Sequence, residues 1–222
     1  KMVIQMVNNN LLDEMAKILE KSNKQTVKQK KIIEVAITSF AEKGYSNTST
    51  SEIAKKAGVA EGTIFKHYGT KENLLLSIMV PFLKDFFPTM ADELIGELMN
   101  DKCSFEEFLR ALLTNRSAFF SENREIFQVF IKEMFYKEEL RNELLPNVLE
   151  IGSNHLIKVI EVFKQRGEIR DIPNEIILKM LSTVIGGLFI SNFVLLNKHS
   201  VSENEIEEAI FFILNGLGQS SQ

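Results

Sequence analysis

The chain has 222 residues, 45% hydrophobic and 25% charged, with a formal net charge of −4, four prolines and eleven glycines. That length and apolar share suffice for one large domain, or a small one joined to a larger one, with a real core. A single cysteine, Cys103, excludes a disulfide framework and a cysteine-based zinc site, and it suits a reducing cytoplasm.

Residues 1–23 open with "KMVIQMVNNN", which is not a signal-peptide pattern, and continue with "LLDEMAKILEK" at helical spacing. They stand as an unassigned N-terminal extension. Ile33, Ala36, Ile37, Phe40 and Ala41 then fall on one face, opposite Lys30, Lys31, Glu34 and Glu42, which predicts an amphipathic helix ending at Gly44. Ser49 followed by Glu52 has capping-box spacing and starts a short helix, "SEIAKKA", that Gly58 ends. A second short helix, "EGTIFKHY", ends near Gly69, and Thr70 can cap another beginning at Lys71. Pro81 and Pro88 should kink or break the segment 71–100. Further helices are expected near 104–121, 124–136, 138–166 (bent at Pro146), 173–197 and 203–216. No alternating run argues for a strand, so the fold class is all-α.

Two short helices joined by a three-residue glycine turn, and held by a preceding amphipathic helix, form a helix-turn-helix. Ala54 and Ala57 are small enough for close approach, and Gly58 takes the left-handed turn without steric cost. Val59 plugs the angle between the helices. Ile53, Ile64 and Tyr68 point inward, which leaves Glu61, Gly62, Thr63, Phe65, Lys66 and His67 on the outer side, where base edges and phosphates can be reached. Charge agrees modestly: residues 24–72 carry nine Lys against five Glu, whereas residues 73–222 carry fourteen Lys or Arg against twenty-two acids. A basic front and an acidic back suggest that only the front meets a polyanion.

The stretch "TSTSEIAKKAGVAEGTIFKHYGTKENLL", preceded by "IIEVAITSFAEKGY", resembles the DNA-binding signature of TetR/AcrR-family transcriptional regulators over about residues 28–78. The resemblance implies a three-helix DNA-binding domain at 24–72 and a larger helical domain at 73–222 for effector binding and dimerisation. It implies that Thr48 caps the second helix and touches a phosphate, and that Ser51 reaches backbone or base. It places Glu61, Gly62 and Thr63 at the opening of the recognition helix, with Phe65 and His67 against the phosphates, and Lys66 joins the DNA-binding set from its place on the outer side. Lys71 would anchor a phosphate together with the N-terminus of the fourth helix. Three positions depart from the family pattern. Phe65 replaces a common Tyr, Ala60 a common Ser or Thr, and Glu61 a common Lys; a carboxylate there repels phosphate but can accept from cytosine N4.

In the C-terminal region, Ser182 and Gly186 are four apart, as are Gly187 and Ser191, so a partner helix can approach closely. The last helix opens with Glu203, Glu205, Glu207 and Glu208 and turns apolar from Ile210 to Leu214. The resemblance implies a homodimer held by these last two helices, with Ser182, Gly186, Gly187, Phe211 and Leu214 at the interface. The alternative is that both close the monomer's own core. The uncharged run Met180–Asn197 reads better as a buried helix than as a membrane span, because it carries several polar residues. A small-molecule pocket, also implied by the resemblance, draws its candidates from the many Phe and from polar groups on apolar faces. These are Phe108, Leu112, Arg116, Phe119, Phe127, Phe130, Met134, His155, Phe189, Asn192 and Phe193. A buried Arg116 needs a partner, either an internal Glu or a ligand carboxylate. An anionic amphipathic effector fits the latter, and a cation facing Glu133 is its competitor.

His67, His155 and His199 have no metal-ligand spacing, no cofactor is expected, and neither a glycine-rich phosphate loop nor a nucleophile elbow appears. The expectation is a cytoplasmic, non-enzymatic repressor released from operator DNA by a small amphipathic molecule. The rival is a helical interaction protein whose helix-turn-helix does not bind DNA.

Overall fold

The computed structural model describes residues 26–85, 95–96 and 103–217. Helix α1, Val27–Lys43, is capped by Thr26 in a reciprocal box with Gln29. Helices α2 (Thr50–Ala57), α3 (Glu61–Tyr68) and α4 (Lys71–Asp85) follow. Pro81 lies inside α4 without ending it before Asp85, and Pro88 lies outside the described residues, as does the extension 1–23. Beyond them come α5 (Phe105–Glu122), α6 (Arg124–Tyr136), α7 (Glu138–Gln165, with Pro146 inside), α8 (Asn174–Phe189) and α9 (Glu203–Leu217). A π-helical segment, Ile190–Leu195, continues α8. The described residues contain no strand, as the absence of alternating runs predicts.

The chain divides into two compact units. Among the described residues, one holds 26–85 and 125–144, and the other holds 95–96, 103–124 and 145–217. The first unit therefore takes in residues on both sides of position 72. The reason is a shared apolar cluster of Leu76, Leu140 and Leu144, against which Val80, Phe130 and Met134 pack. Phe130 and Met134, expected at the effector pocket, pack here against this cluster. The unit's main core is Ile32, Ile33, Ala36, Phe40, Ile53, Ile64, Leu74 and Leu75, all buried. Ala41, expected on the apolar face, is exposed, and Ser39 is buried in its place.

In the second unit, α5 packs against α8 and α9. Phe108, another expected pocket residue, is buried with its ring 5.7 Å from that of Phe163, which places it in the core. On α9 the core positions are Ile206, Ile210, Ile213 and Leu217, at helical spacing. That stripe leaves Phe211 and Phe212 outward, 69% and 67% exposed. Ile176, Met180, Leu195 and Leu196 are exposed as well, so the run expected to be a buried helix buries one face only. By length and composition Asn174–Leu195 could also cross a membrane.

Candidate nucleic-acid interface

Helix α2 starts because Ser49 Oγ accepts from Glu52 N, and it stops because Gly58 adopts the left-handed conformation, φ +69° and ψ 33°. Gly58 N–H and Val59 N–H then close back onto the carbonyls of Lys55 and Ala54. The three-residue turn sets α3 across α2, with Ile53 and Ile64 both buried beneath. Above them Gly62, Phe65, Lys66 and His67 are exposed, Phe65 at 48% despite its apolar ring. Ser51 is also exposed, 3.1 Å from Ser49 Oγ. Thr63 and Glu61 are half-buried, and Thr50 Oγ1 donates to Glu61 Oε1 at 2.7 Å. One oxygen of the unusual carboxylate is thus engaged with α2. Ala60 offers no side-chain cap, so the first turn of α3 presents N–H groups without a side-chain acceptor.

Two expected phosphate contacts turn inward. Ser49, not Thr48, caps α2. Thr48 is 2% exposed, and its hydroxyl lies 3.1 Å from Ser39 O and 2.9 Å from Gly44 O. Lys71 Nζ donates to Tyr45 O and Thr48 O, both at 2.9 Å, and sits 4.1 Å from the centre of the Tyr45 ring. A cation on two carbonyls and a ring face is satisfied within the protein. Both side chains therefore brace the turn that carries Ser49, a role spacing alone could not separate from DNA contact.

The expected pocket residues scatter. Leu112, Phe127 and His155 are half-buried. Rings of Phe119 and Phe120 meet at 5.5 Å, and Phe120 reaches Phe189 at 5.0 Å and Phe193 at 6.3 Å. Arg116 lies 4.8 Å over Phe119, and its guanidinium donates to Asn115 Oδ1 at 2.9 and 2.5 Å. The partner is thus a neutral amide rather than the expected Glu, and desolvation pushes the guanidinium down to about 10. Asn192, 3% exposed within the π-helical segment, donates to Leu188 O at 3.0 Å, while its Oδ1 has no hydrogen-bond partner. Glu133, the candidate counter-charge for a cation, is paired with Lys137 at 2.8 Å. Among the described residues no cluster of His, Cys, Asp or Glu could hold a metal.

At the proposed dimer face, a Cβ built on Gly186 or Gly187 meets nothing within 4 Å. Ser182 and Gly187 are exposed and Leu214 is half-buried. Beside them an apolar groove of about 310 Å³ is lined by Ile172, Ile176, Met180, Val184, Phe212, Ile213, Gly216 and Leu217. Phe212 is absent from the sequence-derived interface. The core stripe on α9 could have identified it, since two consecutive Phe cannot both face one core.

Residues 32–78 match the family of bacterial regulatory proteins, tetR family. The fatty acid metabolism regulator protein of Bacillus subtilis (strain 168) is 30% identical over 148 residues, which cover 65% of this chain and 72% of that protein. The HTH-type transcriptional repressor KstR2 of Rhodococcus jostii (strain RHA1) is 29% identical over 129 residues, covering 54% of this chain and 63% of its own length. Among solved structures, the fatty acid degradation regulator FadR from Bacillus halodurans aligns with a TM-score of 0.57 at 23% identity, over 87% of this chain and 98% of that one. The FadR comparison carries the fold, and the Bacillus subtilis fatty acid metabolism regulator carries the membership. With a helix-turn-helix whose recognition helix is exposed and whose first helix is entered through a turn braced by Thr48 and Lys71, the chain belongs to the tetR family and is a ligand-responsive, DNA-binding transcriptional regulator.

Proposed function

We propose that the protein is a cytoplasmic, non-enzymatic repressor that binds operator DNA as a homodimer and is released by an amphipathic acid. The supporting observation is the exposed outer face of α3, where Gly62, Phe65, Lys66 and His67 stand clear above a buried Ile64. In this reading residues 24–72 make the DNA contacts, and 73–222 bind effector and partner. Gly62 lets a DNA strand approach the backbone, and Lys66 and His67 meet phosphates. Thr63 reads bases, and Ser51 supports from α2. The second copy covers Phe211, Phe212 and the neighbouring groove, because two helices exposing that much apolar surface need a partner.

The effector class follows from Arg116. Its guanidinium is bonded to a neutral amide and caps a run of Phe rings, so a carboxylate would gain a bidentate, charge-assisted pair while its apolar tail lies along the rings. The fatty acid metabolism regulator among its relatives supports the same chemistry. Calorimetric titration with dodecanoate and dodecylamine tests it. Dodecanoate should bind and lower affinity for a duplex selected from a random-sequence pool, and Arg116→Met should lose that binding at preserved melting temperature. Preference for the amine, or unchanged acid binding in Arg116→Met, rejects the anionic effector.

A further inference from the structure

Glu61 opens α3, and one of its two carboxylate oxygens is already engaged. Thr50 Oγ1, in the first turn of α2, donates to Glu61 Oε1 at 2.7 Å. Both side chains are half-buried, and both belong to the same compact unit. Among the described residues Glu61 has no cationic partner, and Oε2 accepts from none of them. The bond from Thr50 therefore holds the side chain in place while leaving a whole oxygen for a further donor. Phe65, four residues on and 48% exposed, shares this face of the helix, and Gly62 beside Glu61 is exposed with nothing within 4 Å of its Cβ position. A tie between α2 and α3 does not by itself need a charge, since a glutamine amide oxygen would accept from Thr50 as well. A negative charge on a face that approaches phosphates weakens binding, so its presence calls for a compensating donor on the DNA.

We propose that Glu61 is a specificity-determining residue that reads a cytosine in the major groove through Oε2, with Thr50 as its positioning residue. An ionised carboxylate only accepts hydrogen bonds. Guanine and thymine turn acceptors toward the major groove and no donor, so both repel it. Adenine offers its N6 amine beside the lone pair of N7, whereas cytosine offers its N4 amine beside a C–H. Cytosine alone thus gives the carboxylate a donor with no acceptor next to it on the same base. Selection comes as much from rejecting the other bases as from binding this one. The assignment rests on the proposed function in needing the outer face of α3 to meet DNA, and it names the base which that face selects.

The test uses the full chain as wild type, Glu61→Gln, Thr50→Val and Thr50→Ser, with melting recorded for each. Each protein selects sites from a random duplex pool. Affinities are then measured for the wild-type site, for its single-base variants and for unselected duplex of equal length. The wild type should enrich a cytosine whose replacement costs about tenfold in affinity. In Glu61→Gln that cost should vanish at this position alone, with preference shifting toward adenine, whose N6 and N7 an amide can pair together. With one negative charge removed, Glu61→Gln should also bind unselected duplex about twofold more tightly. Thr50→Val frees the carboxylate to rotate and should lose about threefold of the discrimination, which Thr50→Ser restores. Glu61→Gln selecting the wild-type sites, or losing affinity for every duplex in step with its melting temperature, overturns the assignment. Should Glu61→Gln fail to fold, the base preference of Thr50→Val against Thr50→Ser decides alone. A wild type that binds duplex without preferring a cytosine rejects this assignment and leaves the DNA face standing. One that binds no duplex even at low salt rejects the face itself, and the cytosine reading with it.

Discussion

Thr48→Val separates a structural hydroxyl from a phosphate contact, because the two roles predict opposite patterns. Valine keeps the shape of the side chain and removes only its hydrogen-bonding. In the structure Thr48 is buried, with Oγ1 at 2.9 Å from Gly44 O and 3.1 Å from Ser39 O. Losing that donor and leaving a buried carbonyl short of a partner costs about 1–3 kcal/mol. For a chain of this size that corresponds to a melting shift on the order of 5 °C. The protein has no Trp and three Tyr (Tyr45, Tyr68 and Tyr136), all within the unit holding the helix-turn-helix. Tyrosine fluorescence therefore follows the melting of that unit by itself. A lost phosphate contact would instead reduce the slope of log affinity against log salt by about 0.9 with stability intact. The expected result is a lower melting temperature, recovery in Thr48→Ser, and an unchanged salt slope. An unchanged melting temperature with a slope reduced by about 0.9 would refute the bracing role and restore the DNA contact.

Gly58→Ala should cost about 1–2 kcal/mol from the left-handed backbone alone. A Cβ there meets nothing within 4 Å, so Gly58→Asn should cost less when both are compared by tyrosine-detected melting. Gly186→Leu fits the protomer without a clash, since its Cβ site is open, and should therefore leave melting unchanged but lower dimer content in sedimentation. An unchanged dimer would move the interface off α8. Glu205 should titrate near 2 by NMR, held below its ordinary 4.5 by the Lys198 ammonium and the Ser202 N–H at the start of α9. Its depressed folded-state value means the stabilisation is full above pH 4.5 and is lost as pH falls toward 2. Lys198→Met should bring the midpoint back up.

The sequence by itself determined the all-α class, the helix positions and the helix-turn-helix, because those depend on short-range physics. Ser49 and Glu52 are three residues apart, Gly58 supplies the left-handed turn, and Ile53 and Ile64 fall on helical stripes whatever surrounds them. The outward set of Gly62, Phe65, Lys66 and His67 was legible for the same reason, being the complement of a buried stripe. Only the tertiary structure decided which polar groups remain available. Thr48 and Lys71 match DNA-contacting positions in sequence, but their partners include the carbonyls of Ser39, nine residues from Thr48, and Tyr45, twenty-six from Lys71, which no local pattern reveals. Phe108, Phe130 and Met134 are ordinary members of an aromatic-rich chain until the fold assigns them to two separate cores. Glu125 is the clearest case: spacing shows an acid at a helix start, while its bond to Ser46 spans seventy-nine residues and exists only once α6 packs beside the turn.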